Sequence, residues 1–257
     1  MTLAGATLPI WENDEINFEN RDLPSSLRLV ICGSSGSGKT VLLLKLLLYN
    51  LDFNRLVICS PSLTAQMAYK IVVESLKAGL NKDQIVAIFD DQKEITDPFQ
   101  VIKDVATYDN RGEEKCEVLL FKDPADLPSP EQLKEGKETS KTLLIIDDCM
   151  GKDQRNINQY FIYARPEGIN LVYLSQSFFK TDKKCTRDNA NVFIFFKCSA
   201  IDQQNIFRHL SNTSFKTLDE FKEFASTSWD KVKDKKGKSR GYIVYDRDTE
   251  IFRENCF

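Results

Sequence analysis

Histidine is almost missing from this chain: His209 is the only one in 257 residues. Seven cysteines (Cys32, Cys59, Cys116, Cys149, Cys185, Cys198 and Cys256) include no C-x-x-C pair. A single histidine and no paired cysteines leave the chain without the familiar zinc frameworks. Several of these thiols sit inside apolar, strand-like runs, where cysteine behaves as a small hydrophobe, and the pattern suits a reducing compartment. Long hydrophobic runs are also lacking. The longest, around Val41 to Leu48, is interrupted by Lys45 and falls far short of the roughly 20 residues that span a bilayer. The opening MTLAGATLPIWENDE has no basic segment followed by an apolar one, so the expectation is an intracellular protein with no membrane partner. There is no basic excess either: the formal net charge is −3, which gives no global field for a polyanion. Internal repeats and low-complexity tracts are absent.

What is present is an ordinary globular composition, with 42% apolar and 28% charged residues, in a chain long enough for one large α/β core or a core with a small appendage. One stretch organises it. Gly33-Ser34-Ser35-Gly36-Ser37-Gly38-Lys39-Thr40 fits G-x-x-x-x-G-K-[ST], the P-loop. A polyphosphate packs several negative charges into a small volume, so the loop that holds it must turn backbone N–H groups inward. Gly33, Gly36 and Gly38 remove the Cβ atoms that would block this, and Ser34, Ser35 and Ser37 are small enough to follow the same path. Lys39 can then reach the β and γ phosphates of ATP, and Thr40 offers a hydroxyl to Mg²⁺. The flanks agree. Leu27 to Cys32 reads as a buried strand and Val41 to Tyr49 as an apolar helix, whose N-terminus adds its own donors, Val41 included, to the anion site.

Along the chain, residues 1–26 read as an irregular arm packed by Trp11 and Phe18, and residues 27–257 as a single P-loop domain. Arg55 to Cys59 reads as a second strand and Thr64 to Ala78 as a helix stopped by Gly79. Asn81 to Asp91 fits either a helix end or a short strand. Thr96-Asp97-Pro98 opens another helix, with Phe99, Ile102, Val105 and Ala106 on one face. Tyr108 to Glu117 reads as a charged turn, and residues 123–140, with three prolines and Gly136, as a loop or small insertion.

Thr142 to Ile146 is then a buried strand running into Asp147-Asp148. An apolar strand ending in paired carboxylates downstream of a P-loop has the form of a Walker B element. Asp147 is placed to hold Mg²⁺ beside Thr40, and Asp148 to accept a proton from an attacking water. Gln154 to Ala164 reads as a helix. Asn170 to Leu174 is a further strand ending in Ser175-Gln176-Ser177, where the Gln176 amide is placed to sense the γ phosphate. Val192 to Lys197 gives a fifth core strand. Asp202 to Leu210 and Leu218 to Ala225 read as helices, and residues 241–253 as a C-terminal β-hairpin. The densest basic stretch, Lys231 to Arg240, is either a solvated loop or a DNA contact.

Taken together, GSSGSGKT, TLLIIDD and an arginine before NLVYLSQS resemble the FtsK/HerA superfamily of P-loop ATPases. Within it they resemble the genome-packaging ATPases of poxvirus-type large DNA viruses, virophages and Maverick/Polinton elements. The resemblance implies a RecA/ASCE-like, mostly parallel sheet with helices on both faces, in which the strand before Gln176 lies between the P-loop and Walker B strands. It further implies a homo-oligomeric ring, a hexamer or pentamer, that threads double-stranded DNA into a capsid, with capsid proteins as further partners. Arg165 is the position matching the residue that reaches a neighbouring subunit's nucleotide. Pro166 and Glu167 replace the family's arginine-glycine-arginine run, so Arg155 and Arg208 stand as substitutes. Other P-loop classes compete. Asp148-Cys149-Met150-Gly151 fits the D-x-x-G of GTPases, but no N-K-x-D is present to read guanine; a nucleotide kinase would want an arginine-rich lid. A nucleotide-gated assembly protein with slow turnover is the alternative from outside the motors.

Overall fold

The computed structural model describes residues 23–63, 66–90, 97–109, 115–210 and 214–255. Trp11, Phe18, Thr96, Cys256 and most of the N-terminal arm lie outside them. Runs rich in Val, Ile, Leu and Phe form an eight-stranded sheet: β1 (Arg28–Cys32), β2 (Arg55–Cys59), β3 (Glu117–Phe121), β4 (Thr142–Asp147), β5 (Ile169–Ser175), β6 (Val192–Phe196), β7 (Tyr242–Asp246) and β8 (Ile251–Glu254). Such β-branched and aromatic runs suit strands covered on both faces. The order is β3-β2-β4-β5-β1-β6-β7-β8. The pairs from β3 through β6 are parallel, and β7 and β8 close the sheet as an antiparallel hairpin. β5 therefore lies between β1 and β4, as expected for the strand that precedes Gln176.

Alternation along each strand divides the core into two layers. Leu29, Ile31, Leu56, Ile58, Leu143, Ile145 and Ile194 meet α1 (Lys39–Lys45), α2 (Met67–Ala78), α3 (Lys82–Asp90) and α4 (Pro98–Asp109) on one face. Val30, Val57, Leu144, Ile146, Leu171, Phe193 and Phe195 meet α5 (Pro130–Lys134), α6 (Arg155–Tyr163), α7 (Ala200–Leu210) and α8 (Leu218–Lys231) on the other. α1 continues into a π-helical turn, Leu46–Asn50, with Leu46, Leu47 and Leu48 buried. No helix among the described residues is long and apolar enough to cross a membrane.

The structure corrects four sequence expectations. Tyr108 to Glu117 is not one charged turn: Tyr108 lies in the last turn of α4 and Glu117 opens β3. β3 is an edge strand only half-buried along its length, so it lacks the continuous apolar run of the central strands. Val192 to Phe196 thereby becomes the sixth parallel strand. The segment 123–140 holds a 3-10 turn at Pro124–Asp126 and α5, whose capping box pairs Ser129 with Gln132. α8 does not stop at Ala225. Trp229 is buried and its Nε1 donates to the Phe195 carbonyl at 2.9 Å, which holds the last turns of the helix on the sheet. Within the segment left open at Asn81 to Asp91, Lys82–Asp90 is helix α3, and Asp91 lies outside the described residues.

Candidate nucleotide-binding site

Parallel strands deliver their carboxyl ends to one edge, and in an open α/β sheet that edge is where ligands bind. Here register brings three elements together. Cys32 of β1 pairs with Ser175 of β5, and Asp147 of β4 pairs with Leu174 of β5. The P-loop, the paired carboxylates and Gln176 thus leave the sheet side by side. The Gly33 N–H donates to the Ser175 carbonyl at 3.1 Å, fastening the loop to the end of β5.

The loop is built as its residue types require. Gly36 and Gly38 stand at φ 65° and 114°, in the left-handed region that costs glycine little. A Cβ at Gly33 would lie 2.7 Å from both Phe196 Cβ and Ser37 Oγ. Gly38 caps α1 without a side-chain hydrogen bond, so the first-turn N–H groups of Lys39, Thr40 and Val41 face the loop. Ser34 and Ser35 are exposed. Ser37 Oγ is buried with no hydrogen-bond partner. Lys39 Nζ donates to the carbonyls of Gly33 at 2.6 Å and Ser34 at 2.9 Å. Burial lowers the Lys39 ammonium below the usual lysine range, opposed by the nearby Asp147, Cys32 and Asp148. A polyanion would offer this cation a stronger partner than two carbonyls. A cradle of this shape, with an orphaned hydroxyl and a cation folded back on its own loop, fits a nucleotide polyphosphate.

Asp147 is buried, and its Oδ2 accepts from the Tyr69 hydroxyl of α2 at 3.0 Å. Burial raises its carboxyl above the usual range, while the Tyr69 hydrogen bond pulls it down. The Tyr69 phenol is in turn pushed well above its normal value, by burial first and then by Asp147. A carboxylate held in this way, in the field of Lys39, which precedes the half-buried Thr40 in the chain, fits the oxygen donors that Mg²⁺ takes. Asp148 adopts φ 57°, a backbone state that Asp tolerates better than most residues, and its Oδ1 lies 3.4 Å from Gln176 Nε2. Met150 supports this corner. Its sulfur accepts from the Gln176 N–H at 3.1 Å and from Ser175 Oγ at 3.0 Å.

The sequence reading missed several contributors. Tyr69 lay in a helical pattern and carried no site signal. Asp202, buried at the start of α7, accepts from Ser177 Oγ and the Phe179 N–H, both at 2.8 Å, and so fixes the turn that carries Gln176. The basic stretch is not one solvated loop: Lys231 ends α8 and pairs with Glu254, whereas Lys238 and Arg240 both donate to the Gly36 carbonyl of the P-loop. Arg165 stands apart. It is exposed in the turn before β5, near Arg28 at the start of β1, whose pKa is lowered by burial first and then by Arg165. It therefore lies at the opposite edge of the sheet from Lys39, roughly 20 Å away along β5. Arg155 is exposed and paired with Asp153, and Arg208 is exposed near the end of α7.

A glycine-rich loop between β1 and α1, paired carboxylates after β4 and an intervening β5 define the P-loop NTPase fold of the RecA/ASCE type. Solved structures share this fold. The genome packaging NTPase B204 from Sulfolobus turreted icosahedral virus 2, in complex with AMP, aligns with a TM-score of 0.52 at 14% identity, covering 90% of this chain and 98% of that one. The DNA-packaging ATPase B204 from Sulfolobus Turreted Icosahedral Virus aligns with a TM-score of 0.51 at 14% identity, covering 90% and 97%. At this identity the likeness is one of fold. No protein-family model and no curated protein matches the chain.

Proposed function

We propose that the protein is an ATPase whose hydrolysis drives double-stranded DNA, in the manner of a viral or transposon genome-packaging motor. The observation that carries the hydrolytic part is the convergence at one sheet edge: Lys39 within the field of Asp147 and Asp148, and Gln176 within reach of Asp148. In this reading the backbone donors of Gly33 to Val41 cradle the phosphates. Lys39 exchanges its two loop carbonyls for β and γ phosphate oxygens. Thr40 and Asp147 would hold Mg²⁺, which would supply positive charge to offset that of the phosphates. Asp148 takes the proton of the attacking water, and the Gln176 amide orients that water against the γ phosphate. Support for the DNA role comes from the fold shared with B204, a protein described as a DNA-packaging ATPase.

Arg165 cannot serve the nucleotide of its own chain from the far edge of the sheet, which leaves it to act on a neighbouring subunit in a ring. The deciding experiment measures ATP turnover across protein concentration, with and without duplex DNA. A motor of this kind gains turnover as subunits assemble and gains further with duplex. Arg165→Ala is expected to lower turnover by about 10³-fold or more. If turnover per chain is flat across concentration and indifferent to duplex, the motor reading fails. A loss within about threefold, against the finger's usual 10³ to 10⁵, reassigns the role to Arg155 or Arg208.

A further inference from the structure

The phosphate loop receives two cations from the far end of the chain. Lys238 Nζ donates to the Gly36 carbonyl at 2.6 Å, and Arg240 Nη1 donates to the same oxygen. The turn that presents them is built around one carboxylate. Asp234 Oδ1 accepts the N–H groups of Lys236 and Lys238, each at 2.9 Å. Its Oδ2 accepts both Arg240 Nε at 3.0 Å and Nη2 at 2.8 Å, two donors of the guanidinium fork converging on one oxygen. Gly237 at φ 73° closes the turn, and the Arg240 N–H donates to the Val232 carbonyl at 2.7 Å. Ideal Cβ positions at Gly36 and Gly38 lie 3.4 Å from Lys238 Nζ and 3.9 Å from Arg240 Cδ, so the turn packs directly on the loop.

We infer that the Asp234–Arg240 turn is the nucleoside subsite, with Lys238 on the ribose oxygens and the Arg240 guanidinium against the face of the base. The inference rests on the reading of the P-loop as a triphosphate site, and sheet order supplies its direction. Asp147, Asp148 and Gln176 all lie on the β4–β5 side of β1, and the hydrolytic reading gives them the terminal phosphate. A triphosphate anchored there leaves its nucleoside on the other side of β1, above β6 and β7. That is the side from which Lys238 and Arg240 approach Gly36. A planar guanidinium stacks on a heterocycle, and a lysine ammonium supplies donors for sugar oxygens.

The test is calorimetric binding on the full chain with ATP, AMP and inorganic tripolyphosphate as probes. Lys238→Met, which keeps the aliphatic stem, and Arg240→Ala are each expected to weaken ATP and AMP by about tenfold while changing tripolyphosphate by less than about twofold. Lys39→Ala is expected to weaken ATP and tripolyphosphate alike. Equal losses on ATP and tripolyphosphate in the Lys238 and Arg240 variants would place both cations on the phosphate chain and overturn the inference. So would unchanged ATP affinity in variants that keep the wild-type melting temperature. Wild-type protein that binds none of the three probes overturns the triphosphate reading, and the subsite with it.

Discussion

The two flanks of the phosphate loop are built differently. On one, β4 and β5 carry Asp147, Asp148 and Gln176 to the edge by parallel register, with Tyr69, Met150 and Asp202 bracing them from behind. On the other, Lys238 and Arg240 hang on a turn between α8 and β7, held by Asp234. Strands deep in a sheet fix atoms to within a fraction of an ångström, whereas this turn is set by its own local hydrogen bonds and a half-exposed ion pair, outside the register of the sheet. The contrast matches two tasks. Groups that act on a breaking bond need the rigid flank, and groups that recognise a ligand tolerate the adaptable one.

Substitutions on each flank sharpen that division, and the largest effect belongs to the rigid one. Asp148→Asn is expected to lower turnover by about 10² to 10⁴ with ATP affinity retained, as removal of a general base would. A loss of affinity with unchanged turnover would move Asp148 from chemistry to binding, and little change in function would favour a nucleotide-gated assembly protein. Tyr69→Phe removes the donor that orients Asp147, and the half-saturating Mg²⁺ concentration in the ATPase assay is expected to rise about tenfold. Retention of the wild-type Mg²⁺ dependence would reduce Tyr69 to a packing residue. The smallest effect falls on the adaptable flank. Asp234→Ala frees Arg240 from a solvent-reached ion pair and is expected to weaken ATP binding by about two- to fivefold without altering turnover at saturation. A drop in saturated turnover would show that this turn also feels the reaction.

The same division decides what was legible in the sequence. Gly33 to Thr40 could be read because each residue type answers a local steric demand, and Asp147, Asp148 and Gln176 because each follows an apolar strand closely. The expected position of β5 between β1 and β4 came through the family resemblance and matches the sheet. Tyr69 meets Asp147 across 78 positions, and Lys238 meets Gly36 across 202. No spacing rule encodes contacts that exist only once the sheet has formed. β3 was missed for a related reason. As an outer strand it needs only partial burial, and its boundary was lost in the polar residues before Glu117.

Phe196, at the end of β6, lies beneath the places where side chains would project from Gly33 and Gly38, and its ring rests against Tyr242. The bed of the loop is therefore a pair of aromatic rings belonging to the hydrophobic interior, and a triphosphate arriving there would find its cradle already shaped. Little chain entropy is left to lose on capture. The hydrogen bonds that Lys39 and Lys238 must exchange become the main reorganisation, so the enthalpy of those two side chains should dominate the calorimetric signature.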